Sequence, residues 1–303
     1  GGLPAPPAGM PMAPEGAPAD TIAPISILLT GGPGAGKSSA LATLRDRISA
    51  WGYQVVVVPE NATALLENSG GYDPAWHGSD MHIRLQQLFL KFQVQQEDTY
   101  RRFAELRPDK PHVLLHDRGC LDGRLFCTSQ EWEQVLEGVG VREADLLERY
   151  DLIIHMTTVA SGMEDLYDFG PGSTNPSRYH TPEQARHADE LAQAVYGKHQ
   201  RLRTVHNFTD LADKMQAVCR CVTEALHVDG LAWRRERPRL QPLPFVAEEE
   251  AWLANVGVHG IQVPFAGADR FGLLRKGQFA LPQRGGAGVA PVGRRQLGRH
   301  VTQ

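Results

Sequence analysis

Five short apolar runs alternate with longer stretches of helical spacing between residues 24 and 228. The runs occupy residues 25–30, 54–58, 113–116, 152–156 and 204–206. Near-continuous apolar runs of this length predict strands that are buried on both faces. Helices are predicted at residues 39–48, 81–106, 142–150, 182–199 and 211–226. The alternation of strands and helices predicts an α/β domain in which helices flank a parallel sheet.

The two ends of the chain lack this periodicity. Residues 1–23 are rich in Pro, Ala and Gly, and residues 229–303 are rich in Pro, Gly and Arg. Such composition disfavours a packed core. We therefore expect one folded domain at residues 24–228 between two mostly disordered tails, with a small second domain as the alternative for the C-terminal tail. Its basic residues could contact anionic lipid, or could simply be solvated.

The overall composition narrows the classes of function. The 303 residues are 42% hydrophobic and carry a formal net charge of −4, which allows a sizeable core and gives no reason to expect a nucleic-acid partner. The four cysteines form no C-x-x-C pair, so we expect no zinc site or disulfide framework. A secretory signal or a transit peptide would carry Lys or Arg near its start, and the first 36 residues contain neither. We expect a cytoplasmic protein.

A complete phosphate-binding motif lies between the first predicted strand and the following helix. This phosphate loop consists of Gly31, Gly32, Pro33, Gly34, Ala35, Gly36, Lys37 and Ser38. Its amides, with that of Ser39 at the start of the helix, would surround a polyphosphate. Lys37 would reach the β and γ phosphates, and the Ser38 hydroxyl would ligate Mg²⁺. The motif predicts binding of ATP or GTP with Mg²⁺.

Asp117 and Arg118 follow the third apolar run. An acid at the carboxyl end of a buried strand in such a protein completes the magnesium shell, directly or through water. The alternative is that Asp117 only caps a helix. Arg118 could stabilise a transferred phosphoryl group. It occupies the place where a motor ATPase would be expected to have Glu, so hydrolytic motor function is disfavoured.

Pro59 and Glu60 follow the second apolar run. Ligands bind outside the carboxyl ends of parallel strands, so Glu60 should face the same cleft as Lys37 and Asp117. A carboxylate there could act as the base that accepts a proton from an acceptor hydroxyl. The alternative is a surface residue that caps the helix starting near Asn61.

Two further segments carry polar residues that we single out. The long helix contains Gln86, Gln93, Gln96, Glu97 and Asp98, which could line a ligand pocket or form a solvated face. Residues 160–180 are rich in Gly, Pro, Ser and Asp and contain no clear element. With Arg178 and Arg186 they resemble a lid whose arginines close over phosphates, although both could be ordinary surface arginines.

Several stretches resemble one family in the same order along the chain. GGPGAGKSSAL, VVPENATALL, HDRGCLD, QEDTYRRF and RYHTPEQARHADELAQAVYGKH are similar to the AAA-type P-loop domain of the NadR and TRPL-translocation-defect group, over residues 24–228. The resemblance implies a kinase-like fold with strand order 2-3-1-4-5. It also implies that Asp117 is the strand-end acid, that Arg178 and Arg186 are lid arginines, and that Asn207 lies near the nucleotide base.

The two branches of this group imply different functions. The NadR branch phosphorylates nicotinamide riboside, which implies a small-molecule kinase with a nucleoside-like acceptor. The other branch binds GTP and phosphatidic acid and serves membrane-protein trafficking, which implies a regulatory protein with a protein or anionic lipid partner. Animal members carry a lipid-binding barrel after the P-loop domain, and the sequence after Gly230 does not show the alternating strands and charged pairs of that barrel. No N-K-x-D guanine signature occurs, so the motifs leave ATP and GTP open.

Overall fold

A computed structural model of the chain describes residues 23–107, 110–170 and 180–227. The predictions made for residues 1–22, for Arg178 and for residues 228–303 lie outside this described part of the chain.

The described residues contain five strands and seven helices. The strands are β1 (Ile25–Thr30), β2 (Gln54–Val58), β3 (His112–Asp117), β4 (Leu152–Met156) and β5 (Leu202–Val205). The helices are α1 (Lys37–Ala50), α2 (Ala62–Asn68), α3 (Asp80–Glu105), α4 (Ser129–Val139), α5 (Glu143–Leu147), α6 (Pro182–Tyr196) and α7 (Leu211–His227). Three short 3-10 helices lie at Pro74–Trp76, Asp122–Phe126 and Glu164–Leu166.

The strands form one parallel sheet in the order β2-β3-β1-β4-β5. This confirms the α/β class and the kinase-like strand order implied by the resemblance. In the register of β1 and β3, Leu29 is paired with Asp117. The carboxyl ends of β2, β3 and β1 therefore meet at one edge of the sheet, where the phosphate loop leaves β1.

The core has two layers because consecutive residues of a strand point to opposite faces of the sheet. On one face, Ile27 and Leu29 of β1 pack with α1 and α7, for example with Leu44 and Val222. On the other face, Leu28 packs with buried residues of α3, α4 and α6. Among the described residues, no helix combines the length and apolar character needed to cross a bilayer.

Helix α4 was not predicted from the sequence, although its ends carry clear signals. Thr128 accepts a hydrogen bond from the Glu131 amide, and the Glu131 side chain accepts one from the Thr128 amide, which forms a capping box. Gly140 ends the helix in the left-handed conformation. The predicted helix at residues 142–150 is shorter in the structure, and β5 begins two residues before its predicted start.

Candidate active site

The phosphate loop joins β1 to α1 through backbone conformations that favour glycine. Gly31 has a φ of 133°, and Gly36 at the start of α1 has a φ of 88°. A Cβ atom at Gly31 would collide with the Met156 carbonyl oxygen, so this position packs backbone directly against the end of β4. The Lys37 ammonium donates hydrogen bonds to the carbonyl oxygens of Gly31 (2.7 Å) and Gly32 (2.9 Å). The loop thus holds its lysine against its own backbone.

Glu60 and Arg118 form an ion pair beside the loop. The Arg118 Nε atom lies 2.9 Å from Glu60 Oε1, and an Arg118 Nη atom lies 3.4 Å from Asp122 Oδ2. The Tyr196 hydroxyl donates to the other Asp122 oxygen at 2.7 Å, which holds that carboxylate in place. Glu60 pairs with Arg118, while the first residue of α2 is preceded by Asn61 at the capping position. Glu60 therefore faces the end of β3.

Lys37 and Asp117 have altered affinities for protons. Burial lowers the pKa of Lys37 from 10.5 to about 7, with the Arg118 charge as a second cause, against the opposing charges of Asp117, Asp122 and Glu60. Burial raises the pKa of Asp117, and the Lys37 charge opposes that increase. These five groups therefore form one electrostatic cluster at the carboxyl edge of the sheet. The next helical turn begins only at Asp122, so Asp117 is not its capping residue.

Arg118 has an unusual backbone. Its φ of 74° is the only positive value at a non-glycine position among the described residues. This conformation costs about 1–2 kcal/mol for a residue with a Cβ atom. The Arg118 amide still donates to the Leu29 carbonyl at 3.3 Å, so the chain turns immediately after its last contact with β1. Strain of this kind is common at functional sites.

Arg186 is engaged by the segment that follows β4. It donates to the Ala160 carbonyl at 2.9 Å, and it forms ion pairs with Glu183 (3.2 Å) and Glu164 (3.6 Å). Within the described part of the chain, Arg186 forms no hydrogen bond or ion pair with the phosphate loop. His180 lies two residues before the start of α6 and is half-buried. Burial, together with the Arg118 charge, lowers the pKa of His180. The chain entering α6 thus comes close to the charged cluster.

Asn207 binds the backbone after β4. Its amide nitrogen donates to the carbonyl oxygens of Thr158 (2.8 Å) and Ser161 (2.9 Å). Lys214, which is buried, donates to the Asn207 side-chain oxygen at 2.8 Å and to the Thr157 carbonyl at 2.6 Å. Both polar groups of Asn207 are therefore occupied in bracing this segment.

The polar side chains of α3 do not form a solvated face, so that interpretation of Gln86, Gln93 and Glu97 is wrong. These three residues are buried. Glu97 accepts hydrogen bonds from Gln93 (2.9 Å) and from the Tyr150 hydroxyl (2.8 Å).

Arg149 completes this buried network. It lies 2.7 Å from Glu97 and 2.6 Å from Asp98. Burial favours a higher pKa for Glu97, but the Arg149 and His116 charges outweigh it and hold the pKa well below its usual range. The network joins α3 to the residues that precede β4.

Sequence reasoning missed Asp189, Thr158 and Lys214. Asp189 shares the buried face of α6 with Ala185 and Ala192, at helical spacing. An acid on an apolar helical stripe is the signal that could have identified it, because a buried carboxylate needs specific donors. Thr158 and Lys214 stand in no recognisable pattern and become visible only when the strand ends are brought together.

Several solved structures resemble the chain at low identity. Deoxyadenosine kinase from M. mycoides with bound dATP has 12% identity and a TM-score of 0.44, over 66% of this chain and 99% of that one. NadR with NAD and AMP-PNP has 17% identity and a TM-score of 0.43, over 71% of this chain and 52% of that one. NadR with NR has 16% identity and a TM-score of 0.44, over 71% and 54%. The match therefore spans about half of each NadR chain.

No curated protein matches the chain. The AAA domain family AAA_28 matches residues 26–214, which include the phosphate loop, the charged cluster and all five strands except the first residue of β1. The sheet order and the loop between β1 and α1 are those of a kinase-like P-loop fold. The chain belongs to the AAA domain family AAA_28.

Proposed function

We propose that this protein binds a purine nucleoside triphosphate with Mg²⁺ and transfers a phosphoryl group to a small nucleoside-like acceptor. The observation that carries the proposal is the cluster of Lys37, Glu60, Asp117, Arg118 and Asp122 at one edge of the sheet. Two cations and three carboxylates lie together there, and we infer that the cations would meet the charge of the phosphoryl group. Phosphoryl transfer needs positioning and charge stabilisation more than covalent chemistry, and these groups supply both.

Lys37 is the residue that would meet the phosphates. Its ammonium now donates to two carbonyl oxygens of its own loop. A bound triphosphate offers stronger, charged acceptors, so we infer that Lys37 exchanges these contacts for the β and γ phosphates. The negative charge of the ligand would also restore the protonated form, which burial disfavours in the free protein.

Ser38 and Asp117 suit a magnesium ion. Their hydroxyl and carboxylate oxygens are ligands that Mg²⁺ prefers, and such sites need only one or two protein ligands beside the phosphates. Ser38 is exposed in the first turn of α1, and Asp117 ends the strand that pairs with β1. The ion would neutralise charge on the transferred group.

Glu60 is the proposed general base. It would accept the proton of the acceptor hydroxyl, while its ion pair with Arg118 orients the carboxylate. Arg118 pairs with this base and its charge also acts on Lys37, so it would be available to the phosphoryl group in transit. Arg186 would act as a lid arginine after leaving the Ala160 carbonyl, and Arg178 keeps the same proposed role.

The test is a turnover screen on the full chain. ATP or GTP with Mg²⁺ is offered with nicotinamide riboside, adenosine, deoxyadenosine and other nucleosides, and phosphorylated products are measured by mass spectrometry. We expect one acceptor class to be phosphorylated, and Lys37→Ala to abolish both the product and nucleotide binding while the fold is retained. Tight nucleotide binding without any acceptor would instead support a nucleotide-binding regulatory protein. Unchanged nucleotide affinity in Lys37→Ala would contradict the assignment of the loop.

A further inference from the structure

Asp189 connects helix α6 to the phosphate loop. Its Oδ1 atom accepts hydrogen bonds from the amides of Gly32 (2.7 Å) and Thr158 (3.2 Å). The residue is only 5% exposed, so this carboxylate depends on protein donors in place of water. One side chain thus holds together the loop after β1 and the segment after β4.

Thr158 provides a second link between the same two segments. Its hydroxyl donates to the Pro33 carbonyl oxygen, and its own carbonyl accepts from Asn207. The next residue, Val159, donates weakly to Gly34 at 3.5 Å. The loop is therefore held from Gly32 to Gly34 by hydrogen bonds to residues outside the motif.

We propose that Asp189 is a positioning residue that sets the shape of the phosphate loop for nucleotide binding. The inference rests on the proposed binding of a nucleotide at this loop. Because the Gly32 amide is committed to Asp189, the phosphates are left to the amides nearer α1. The negative charge of Asp189 would repel a triphosphate, so its contribution comes from the hydrogen-bond geometry and not from attraction.

Two substitutions separate geometry from charge. Asp189→Asn keeps an oxygen that can accept from both amides and removes the negative charge. Asp189→Ala removes the acceptor and leaves two buried amides without their partner. Glu190→Ala is the matched control, because Glu190 is the next residue of the same helix and is exposed.

The measurement is the affinity for ATP, ADP and AMP by calorimetry, together with the melting temperature of each variant. We expect Asp189→Ala to weaken ATP and ADP binding by about 10- to 100-fold, the value of a charge-assisted hydrogen bond. AMP should be affected much less, because it lacks the β phosphate that the loop surrounds. Asp189→Asn should retain at least about one-third of the wild-type affinity for ATP. Glu190→Ala should have the wild-type affinity.

The outcomes distinguish this inference from the proposed function. Equal losses for all three nucleotides, or no loss in Asp189→Ala, would show that Asp189 is merely structural. Should the wild type bind no nucleotide, the proposed function fails, and amide hydrogen exchange of the loop then decides the role of Asp189. In that case, faster exchange at Gly32 in Asp189→Ala but not in Asp189→Asn supports the positioning role, and equal exchange overturns it.

Discussion

The Arg118 guanidinium lies 2.9 Å from the Glu60 carboxylate, and the two residues lie within two positions of the ends of neighbouring strands of the sheet. Glu60 comes from the β2 side and Arg118 from the β3 side, so the sheet itself sets the distance between the proposed base and the cation. Neither side chain is fully exposed, with 32% and 25% of their side-chain areas accessible. Such a pair restrains its carboxylate while leaving it reachable by an acceptor.

Glu60→Gln should reduce phosphoryl transfer by about 10²- to 10⁴-fold, the usual contribution of a positioned general base. Affinity for the triphosphate should change little, because Glu60 is proposed to act on the acceptor and the glutamine has nearly the same size and shape. The measurement is product formation beside nucleotide affinity, with the exposed Glu133→Gln of α4 as a control. Equal turnover in the mutant and the wild type would remove Glu60 from the mechanism.

Arg118→Gly and Arg118→Ala should both lose transfer but differ in stability. Because the φ of residue 118 is 74°, glycine adopts this conformation without strain while alanine keeps the cost. We expect the glycine variant to have an unfolding free energy about 1 kcal/mol higher than that of the alanine variant. Urea denaturation measures this difference, and a glycine variant that is the less stable of the two would refute it.

Asp117→Asn should make nucleotide binding less dependent on magnesium and should abolish transfer. The carboxylate ends β3 opposite Leu29, next to the loop that would hold the phosphates. Titrations of ATP with and without Mg²⁺ should therefore show a smaller contrast in the mutant than in the wild type. The same contrast in both proteins would mean that Asp117 has only a structural role.

Nucleotide affinity should fall as the pH rises above 7. The free protein has a Lys37 pKa of about 7, and phosphate charges raise that pKa on binding, so binding takes up a proton above pH 7. The loss should approach tenfold per pH unit in this range, while affinity should be flat below it. Calorimetry in two buffers of different ionisation enthalpy detects the proton, and Lys37→Arg, which stays charged, is the comparison. Affinity that is equal at pH 7 and pH 9 would contradict this.

Arg149→Met should destabilise the fold by about 3–5 kcal/mol, because it leaves the buried Glu97 carboxylate without its main cation. The sign of the pH dependence follows from Glu97. Its folded pKa is depressed, so its stabilising contribution is present above the unfolded pKa and is lost as the pH falls through the folded pKa. In Arg149→Met, Glu97 can take up a proton, so the destabilisation should shrink in acid. Denaturation curves at neutral and acidic pH test both, and Glu97→Gln added to Arg149→Met should restore part of the stability.

The sequence was sufficient for those features that depend on local pattern. The near-continuous apolar run Leu152–Met156 predicts a strand that is buried on both faces, and the structure has that strand with the predicted bounds. The strand order needed the family resemblance, since pattern alone does not say which strands are neighbours. The assigned roles of Lys37, Glu60, Asp117, Arg178, Arg186 and Asn207 stay predictions.

The remainder could not be predicted because it depends on contacts between distant segments. Asp189 meets Gly32 across 157 positions of the chain, and Arg149 meets Glu97 across 52. The polar residues of α3 looked compatible with solvent because the cation that neutralises Glu97 is Arg149, which lies between α5 and β4. A buried charged residue can be predicted from the sequence only when its partner lies close to it along the chain.

The packing of Gly31 against Met156 separates two kinds of constraint on the motif. A side chain at Gly31 would collide with backbone whether or not a nucleotide is ever bound, whereas the Lys37 ammonium bonds two loop carbonyls that we expect a triphosphate to replace. A duplicated copy of this protein released from nucleotide binding would thus keep the first glycine and lose the lysine. In comparing descendants, the lysine and not the glycine is the position that reports whether the site still works.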